Sequence, residues 1–382
     1  MSDRSRQKCG LKRMGIVLLI IFIISNLGMA QHDLKNPVDK LEKWQEEIAQ
    51  EDFKAGEMII EHITDSYEWH IITVGHTHVS IPLPVMLYDE GEFHFFMSSE
   101  LHHNNGTYQG YFISDEGFNS GKLVRKDDAG AEIRPDLDFS FTKNVLAIFF
   151  SIFLLGFIFI SVANSYKKRK GKAPKGLQSL LEPIIIFVRD DIARSSIGEK
   201  RYERYTPFLL TIFFFILINN LLGIIPFFPG GANITGNIGV TGVLAAFTFI
   251  ITTYSANKNY WVHIVNAPGV PWWLKIPVPL MPIVEIMGVF TKPFVLMVRL
   301  FANMSAGHII ILGFISLIFI FGEISQGLGF GVSIVSVGFS IFMDVLEILV
   351  AFIQAYVFTL LSALYFGMAT EEAHHSSETI NH

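Results

Sequence analysis

The chain has 382 residues, of which 51% are hydrophobic and only 17% are charged, whereas soluble globular proteins carry about 25% charged residues. The formal net charge of −6 gives no reason to expect a nucleic-acid partner. The single cysteine, Cys9, excludes a disulfide framework, and no motif calls for a bound metal or any other cofactor. Residues 145–166 and 206–257 contain no Lys, Arg, Asp or Glu, and such runs are long enough to cross a bilayer. The composition therefore excludes an ordinary soluble protein and predicts a polytopic membrane protein.

Residues 1–30 have the pattern of a signal peptide. A basic start precedes a short apolar run at residues 16–24, and the small residues Gly28 and Ala30 follow it. This pattern predicts cleavage before Gln31. An uncleaved transmembrane helix is the alternative, but the apolar run is short for one.

Residues 31–142 are predicted to form a small extramembrane domain rich in β-strands, lying outside the cytoplasm. Alternating stretches at 69–74, 79–87 and 92–97 predict strands, and residues 38–55 predict a helix. Histidines in this region are conceivable metal ligands, but loop histidines are more often simply solvated, so no metal site is predicted. The four histidines are His76, His78, His102 and His103.

Residues 143–382 are predicted to form a membrane domain of about five spanning helices. The first span, 144–166, is followed by six basic residues within 167–175, which marks the cytoplasmic side. The C-terminus is then cytoplasmic as well. Further along, we expect an amphipathic interfacial segment at 176–204, spans at 207–227 and 238–254 with a turn at 229–231, and an interfacial loop at 258–279.

Two long apolar helices end the chain, at 281–321 and 332–369. A helix of about 40 residues is roughly 60 Å long, twice the hydrocarbon thickness, so both must tilt steeply or lie along the membrane. The predicted fold is all-α and polytopic, with two long tilted membrane helices forming a hairpin at 281–369, in addition to the N-terminal β-rich domain. The turn is predicted at Gly327-Leu328-Gly329.

Each long helix carries one polar stripe. Ionisable residues at membrane depth cost at least about 2.5 kcal/mol each, so they usually face an interior or a water-filled path. The heptad and half-heptad spacing places each set on one helix face. The stripes are Glu285, Lys292, Arg299 and Asn303 on the first helix, and Ser340, Asp344, Glu347 and Gln354 on the second.

Arg299 is the strongest candidate for a functional role, because no carboxylate lies within two turns of it on its own helix. We expect it to be buried in an ion path. Alternatively, Lys292 extends to the membrane interface, and Glu285 stabilises the N-terminus of its helix. Asp344 likewise belongs either to its stripe or to a helix end.

His308 lies nine residues after Arg299 and therefore faces away from the stripe. Glu347 of the second helix is in a position to meet it. A His–Glu pair can relay protons near neutral pH. A static hydrogen-bonded pair that locks the hairpin is an equal alternative.

The run Arg299-Leu-Phe-Ala-Asn303-Met-Ser-Ala-Gly-His308 resembles subunit a of the F-type ATP synthase membrane sector. Residues 220–226, 354–361 and the pair Asp191-Ile192 add to the resemblance, which covers about 144–372. It implies a non-catalytic stator in the cell inner membrane that forms two proton half-channels against the rotating c-ring. Its implied partners are the c-ring, the b subunits of the peripheral stalk, the remaining synthase complex and membrane lipid.

The resemblance also implies roles for single residues. Arg299 would face the essential carboxylate of the c-ring, lower its pKa and separate the half-channels. Gln354 would stand near Arg299, and some relatives carry the residue types of His308 and Glu347 exchanged. Val295 departs from relatives that have a polar residue there. The half-channel candidates are Glu285, Asn303, His308 and Glu347, with Asn220, Ser340 and Asp344 as further possible lining.

Two other classes of function are alternatives to a stator. A self-contained channel or secondary transporter is expected to show inverted repeats or half-helices broken by Gly and Pro, and the sequence shows neither. An intramembrane protease is remote, since no His-Glu-x-x-His or Gly-x-Ser-x-Gly motif occurs. The choice between proton and sodium is left open, because that ion is bound on the ring.

Overall fold

A computed structural model describes residues 55–371, apart from 75–76, 104–105, 115–116, 128–129, 226–228 and 266–279. All of them belong to one compact unit, Ala55–His382. The predicted signal peptide and all but the last residue of the predicted helix at 38–55 lie outside the described residues.

An N-terminal β-rich domain precedes the membrane helices. Its described strands form three antiparallel sheets with the orders β1-β2, β4-β3-β9 and β5-β6-β7-β8. The elements are α1 (Ala55–Ile63), β1 (Glu68–Val74), β2 (Thr77–Pro82), β3 (Pro84–Asp89), β4 (Glu92–Met97), α2 (Ser99–His103), β5 (Thr107–Tyr108), β6 (Tyr111–Ile113), β7 (Leu123–Lys126), β8 (Glu132–Ile133) and β9 (Leu137–Asp138).

The strand predicted at 79–87 is in fact two strands, divided at Leu83. Prolines at 82 and 84 flank this residue, and proline has no N–H to donate to a ladder. The chain therefore changes partners there: β2 pairs with β1, whereas β3 pairs with β4 and β9. Glu90 and Gly91 close the β3–β4 hairpin with positive φ angles of 51° and 86°, as a two-residue primed turn requires.

The β-rich domain is fastened to the start of the first long helix. Buried Trp69 of β1 packs with Ala147, Ala232 and Ile234. The Asp65 carboxylate accepts a hydrogen bond of 3.0 Å from the backbone N–H of Asn144. These contacts fix the domain against the helix that begins at residue 143 and against the loop before residue 238.

In the described part of the chain, five of the remaining helices are long and apolar enough to cross a membrane: α3 (Lys143–Lys168), α6 (Tyr202–Ile224), α7 (Ile238–Ser255), α9 (Leu280–Ile324) and α10 (Gln326–Thr370). Thr142 caps α3 by accepting a hydrogen bond from the Val145 N–H, and Lys167 and Lys168 occupy its last turn. Cations at that end interact favourably with the helix dipole. In order, the elements are α3 (Lys143–Lys168), α4 (Leu177–Ile186), a π-helix (Phe187–Arg194), α5 (Ser195–Ile197), α6 (Tyr202–Ile224), α7 (Ile238–Ser255), α8 (Lys258–Val265), α9 (Leu280–Ile324) and α10 (Gln326–Thr370).

The segment predicted as one amphipathic stretch at 176–204 is divided in the structure. Helix α4 passes into the eight-residue π-helix, a rare conformation with wider turns. These turns bring Val188, Ile192 and Ala193 together in the core beside α6. The predicted loop at 258–279 begins as helix α8, and its residues from 266 onward lie outside the described ones.

Helices α9 and α10 have 45 residues each and run antiparallel. The Phe314 and Phe339 rings lie 4.1 Å apart. The break between the helices is Ser325, so the predicted turn at Gly327-Leu328-Gly329 is wrong, since those residues belong to the first turn of α10. A Cβ atom on Gly329 would lie 2.8 Å from the Gly322 Cα, so these glycines permit close helix contact instead of making the turn.

The C-terminal end of α10 is held by polar groups from two other segments. The Asn257 backbone N–H donates to the Ala369 carbonyl at 2.9 Å, and its side-chain amide donates to the Thr370 carbonyl at 2.9 Å. The Arg201 guanidinium also donates to Thr370. Carbonyls that have no partner within the helix are thereby satisfied, and a cation stands at the negative end of the dipole.

Candidate functional site

Arg299 lies on the outer surface of α9, and its side chain is exposed. Leu296, Leu300 and Met304 are buried in the main core, so the opposite side of the helix is turned outward. Within this chain, the prediction that Arg299 is buried is therefore wrong. Among the described residues, none forms an ion pair or hydrogen bond with its guanidinium.

The exposed side chains that follow Arg299 on α9 are short. Asn303, one turn further on, is exposed, and so are Ala302 and Ala306. Small side chains let a second helix approach the backbone closely. The exposed cation is therefore surrounded by a surface on which another helix can pack.

The polar stripe of α10 faces the other way. Ser340, Glu347 and Gln354 are all buried, while Asp344 is half-buried. Their heptad spacing thus placed them on one face, as predicted, and that face is turned into the protein. Within the described part of the chain, no hydrogen bond joins Gln354 to Arg299.

His308 and Glu347 lie in contact between α9 and α10. The His308 Nδ1 atom is 2.7 Å from Glu347 Oε1 and 3.0 Å from the Met304 carbonyl oxygen. Its Nε2 atom is 3.3 Å from the Gly223 carbonyl of α6. Both ring nitrogens thus face acceptors, and the protonated ring can donate from each of them.

Gly307 makes room for this pair. A Cβ atom at residue 307 would lie 2.8 Å from Glu347 Oε1. The carboxylate therefore rests directly on the backbone of α9, next to the imidazole.

Asn220 extends the polar region by one helical turn. Its side-chain amide donates to the Ala351 carbonyl at 3.4 Å, four residues after Glu347. Thr235 donates to its oxygen at 2.6 Å. Ser340 Oγ is a buried polar atom without a hydrogen-bond partner among the described residues, which is unfavourable unless water reaches it. These groups all lie on the side of α9 beyond residue 299.

A second set of polar groups lies on the other side of Arg299. The Lys292 ammonium is 5.6 Å from the centre of the Tyr365 ring, and Glu285 is half-buried near Tyr260. Burial, and after it the negative charge of Glu285, raises the pKa of Tyr260. Lys292, Tyr260 and Tyr365 also border a cavity of about 10 Å³, close to the smallest volume that holds one water molecule.

The two sets are separated along the axis of α9. His308 lies about 13 Å from Arg299 in one direction, and Lys292 about 10 Å in the other, at 1.5 Å per residue. Glu285 is about 21 Å away on the Lys292 side. The arrangement offers two polar regions with a single exposed cation between them.

Sequence reasoning missed Thr235, Tyr260, Tyr365 and Gly307. The first three lie on other segments, and only folding brings them to the site. Of the histidines considered for metal binding, His78 lies on β2 and two lie on α2, while His76 is outside the described residues. Within the described residues, no group of three or more His, Cys, Asp and Glu is arranged to hold a metal ion.

Comparison with known proteins gives two family matches. Residues 58–144 match a family described as a domain of unknown function (DUF8433). A Chloroherpeton thalassium protein named ATP synthase subunit a is 46% identical over 251 residues, 64% of this chain and 71% of that protein. A Chlorobaculum tepidum protein named ATP synthase subunit a 2 is 43% identical over 278 residues, 71% of this chain and 72% of that protein. The family described as ATP synthase A chain matches residues 145–367, more than half of the sequence, and the chain belongs to that family.

Proposed function

We propose that this chain is the non-catalytic stator subunit of an F-type ATP synthase membrane sector, and that Arg299 separates two proton half-channels. The observation that carries the proposal is the position of Arg299. It is exposed on α9 among small residues, and polar groups lie inside the protein on both sides of it along the helix. A rotating c-ring would pass over this surface, and proton flow through the half-channels would drive its rotation and ATP synthesis.

The fixed charge of Arg299 supplies the chemistry. A cation opposite a carboxylate of the ring lowers the pKa of that carboxyl and favours release of its proton. The same charge opposes direct proton passage from one half-channel to the other. Arginine suits this role because it keeps its proton at any physiological pH, whereas lysine can lose it.

One half-channel would run through the region of His308 and Glu347. Buried Ser340 and Asn220 and half-buried Asp344 continue it. The 2.7 Å between His308 Nδ1 and Glu347 Oε1 is within the reach of proton transfer once the ring turns its Nδ1–H from the Met304 carbonyl to the carboxylate. The other half-channel would run past Glu285. Asn303 would lie on the ring-facing surface, and Gln354 behind it.

The length of the last two helices supports a tilted arrangement. At 45 residues, each is about 68 Å long, whereas the hydrocarbon core is about 30 Å thick. Both would therefore lie oblique in the membrane as a hairpin that follows the ring. The basic residues after α3 support a cytoplasmic position for that end of the helix. This inner-membrane protein would have its β-rich domain outside the cytoplasm and its C-terminus inside. The b subunits and the rest of the synthase would be its further partners.

Replacing Arg299 by Ala tests the proposal. In reconstituted synthase complexes, we expect ATP-driven proton pumping to vanish while the detached catalytic head still hydrolyses ATP. Val295→Ala, one turn earlier on the same exposed face, is the matched control and should pump normally. Pumping by the Arg299→Ala complex would refute the separator role and favour a self-contained channel.

The His308–Glu347 pair requires a separate test, because a static lock would give the same contact. The double variant His308→Gln, Glu347→Gln keeps two hydrogen-bonding side chains but cannot carry protons. The exchanged variant His308→Glu, Glu347→His keeps both titratable groups. A relay predicts pumping only in the exchanged variant, whereas a static lock predicts pumping in the Gln–Gln variant as well.

A further inference from the structure

The three-stranded sheet β4-β3-β9 has one core face and one exposed apolar face. Val85, Leu87 and Phe96 belong to the core of the β-rich domain. On the opposite face, Phe95 is 60% and Phe139 59% exposed, although both are large and apolar. The exposed face comprises Pro84, Met86, Tyr88, Phe93, Phe95, Met97, Leu137, Phe139 and Phe141, none of them charged.

Strand register makes these residues one contiguous surface. Tyr88 is paired with Phe93 on one side and with Leu137 on the other. Met86 is paired with Phe95, and its carbonyl accepts a hydrogen bond of 2.9 Å from Phe139. Directly opposite residues point to the same face of a sheet. An exposed apolar surface that crosses three strands marks an interaction site.

This surface continues into the membrane-facing side of α3. The chain after β9 stays beside β3, because the Phe141 N–H donates to the Pro84 carbonyl at 3.0 Å. The Phe141 ring lies 5.8 Å from the ring of Phe149, which is exposed on α3. Phe153 and Phe157 follow on the exposed side of that apolar helix. The sheet face and the lipid-facing side of a membrane span are therefore one continuous apolar surface.

The polarity of the sheet changes along its strands. Its far end is the turn that contains Asp89, Glu90 and Glu92. On the exposed face, its near end beside α3 carries Pro84, Met97 and Phe141. This change in polarity is expected of a sheet that lies in an apolar layer near the membrane span and in water beyond it.

We propose that the exposed face of β4-β3-β9 inserts into the membrane leaflet at which α3 begins. The occupant of the face is lipid, at the boundary between headgroups and acyl chains, where apolar surfaces of peripheral elements are buried to a depth of about 5–10 Å. The domain would thereby hold the start of α3 at a fixed height and orientation in the bilayer.

Site-directed spin labelling in the full synthase complex, reconstituted in phospholipid vesicles, tests the proposal. Cys9 is the only cysteine of this chain, so a Cys9→Ser background leaves one labelled cysteine in this chain in each variant. The signal of the same complex with the cysteine-free chain is subtracted. The labels are attached at Phe95→Cys and Phe139→Cys, because these side chains are not part of the core of the domain. Glu92→Cys, on the same strand as Phe95 but on the opposite face and at the charged end, is the control.

Collision with oxygen, which concentrates in lipid, is compared with collision with a water-soluble nickel chelate. The proposal predicts high oxygen and low nickel accessibility at residues 95 and 139, and the reverse at 92. Nickel accessibility at 95 and 139 equal to that at 92 would show a water-exposed face and overturn the proposal. Low accessibility to both reagents would show a protein cover in place of lipid, and would overturn it equally.

Discussion

At the scale of single residues, the His308–Glu347 contact depends on a neighbour that carries no functional group. The Glu347 carboxylate rests on the backbone of Gly307, where a Cβ atom would lie only 2.8 Å from Oε1. The 2.7 Å distance between the two titratable groups thus depends on the absence of a side chain at residue 307.

Gly307→Ala is expected to impair proton translocation without removing any polar group. Either the helices separate, at an overpacking cost of about 1–3 kcal/mol, or Glu347 swings away from His308. A loss of about 1.4 kcal/mol at the rate-limiting transfer corresponds to about tenfold slower pumping. ATP-driven acidification of synthase vesicles measures this.

Gly313→Ala is the control for this prediction, because a Cβ atom at residue 313 meets nothing within 4 Å. It lies in the same helix, and alanine is the better helix former by about 1 kcal/mol. Equal pumping by both glycine variants would mean that the spacing of His308 and Glu347 does not limit transport.

At the scale of elements, the sequence predicted membrane spans well and junctions between them poorly. The spans predicted at 144–166 and 238–254 agree with Lys143–Lys168 and Ile238–Ser255 to within two residues. Hydropathy sets these ends locally, together with lysines at 143, 167 and 258 and the Asn237 cap at the start of the second helix. Ser325 and the π-helix had no such signal. Their positions follow from helix packing, which no local pattern encodes.

The candidate site shows the same division. Heptad spacing predicted that Ser340, Glu347 and Gln354 share a face, since that follows from helix geometry alone. Spacing did not predict that Arg299 is turned outward. Which side of an apolar helix is covered depends on its neighbours, and at residue 299 the proposed neighbour belongs to another chain.

Gly329→Ala tests the packing of α9 on α10 near their junction. The added Cβ atom would meet the backbone of Gly322 at 2.8 Å, and backbone cannot rotate away as a side chain can. We expect a loss of about 1–3 kcal/mol in stability, seen as a lower temperature of subunit dissociation. Gly331→Ala, where nothing lies within 4 Å, should leave that temperature unchanged; the same loss there would mean that helix contact is not the cause.

At the scale of the whole molecule, Asp89 ties the sheets of the β-rich domain together. Its carboxylate accepts a hydrogen bond of 2.8 Å from Tyr111 and pairs with Arg125 at 2.7 Å. It also accepts a hydrogen bond from the Asp136 N–H at 3.3 Å. One buried carboxylate thus joins β3, β6, β7 and the segment that leads into β9 and α3.

The pKa of Asp89 reflects this network. Burial alone would raise the pKa, but the hydrogen bonds from Tyr111 and from the Asp136 N–H, with the charge of Arg125, hold it below its usual value. The stability that Asp89 contributes is therefore complete above the unfolded pKa of about 3.9. It is lost as the pH falls through the lower folded pKa.

Asp89→Asn is expected to destabilise the β-rich domain by about 1–3 kcal/mol at neutral pH, since it leaves buried partners poorly satisfied. Hydrogen exchange of peptides from β3, β6 and β7 in the intact complex, corrected for intrinsic rates, measures the loss. The difference from the natural chain should narrow as the pH falls below about 3.9, because protonation removes the same charge. Glu90→Gln is the control: Glu90 pairs with the same arginine but is 72% exposed, and surface pairs contribute about 0–1 kcal/mol. A difference that stays constant with pH, or that Glu90→Gln reproduces, would remove Asp89 as the residue that ties the sheets of this domain together.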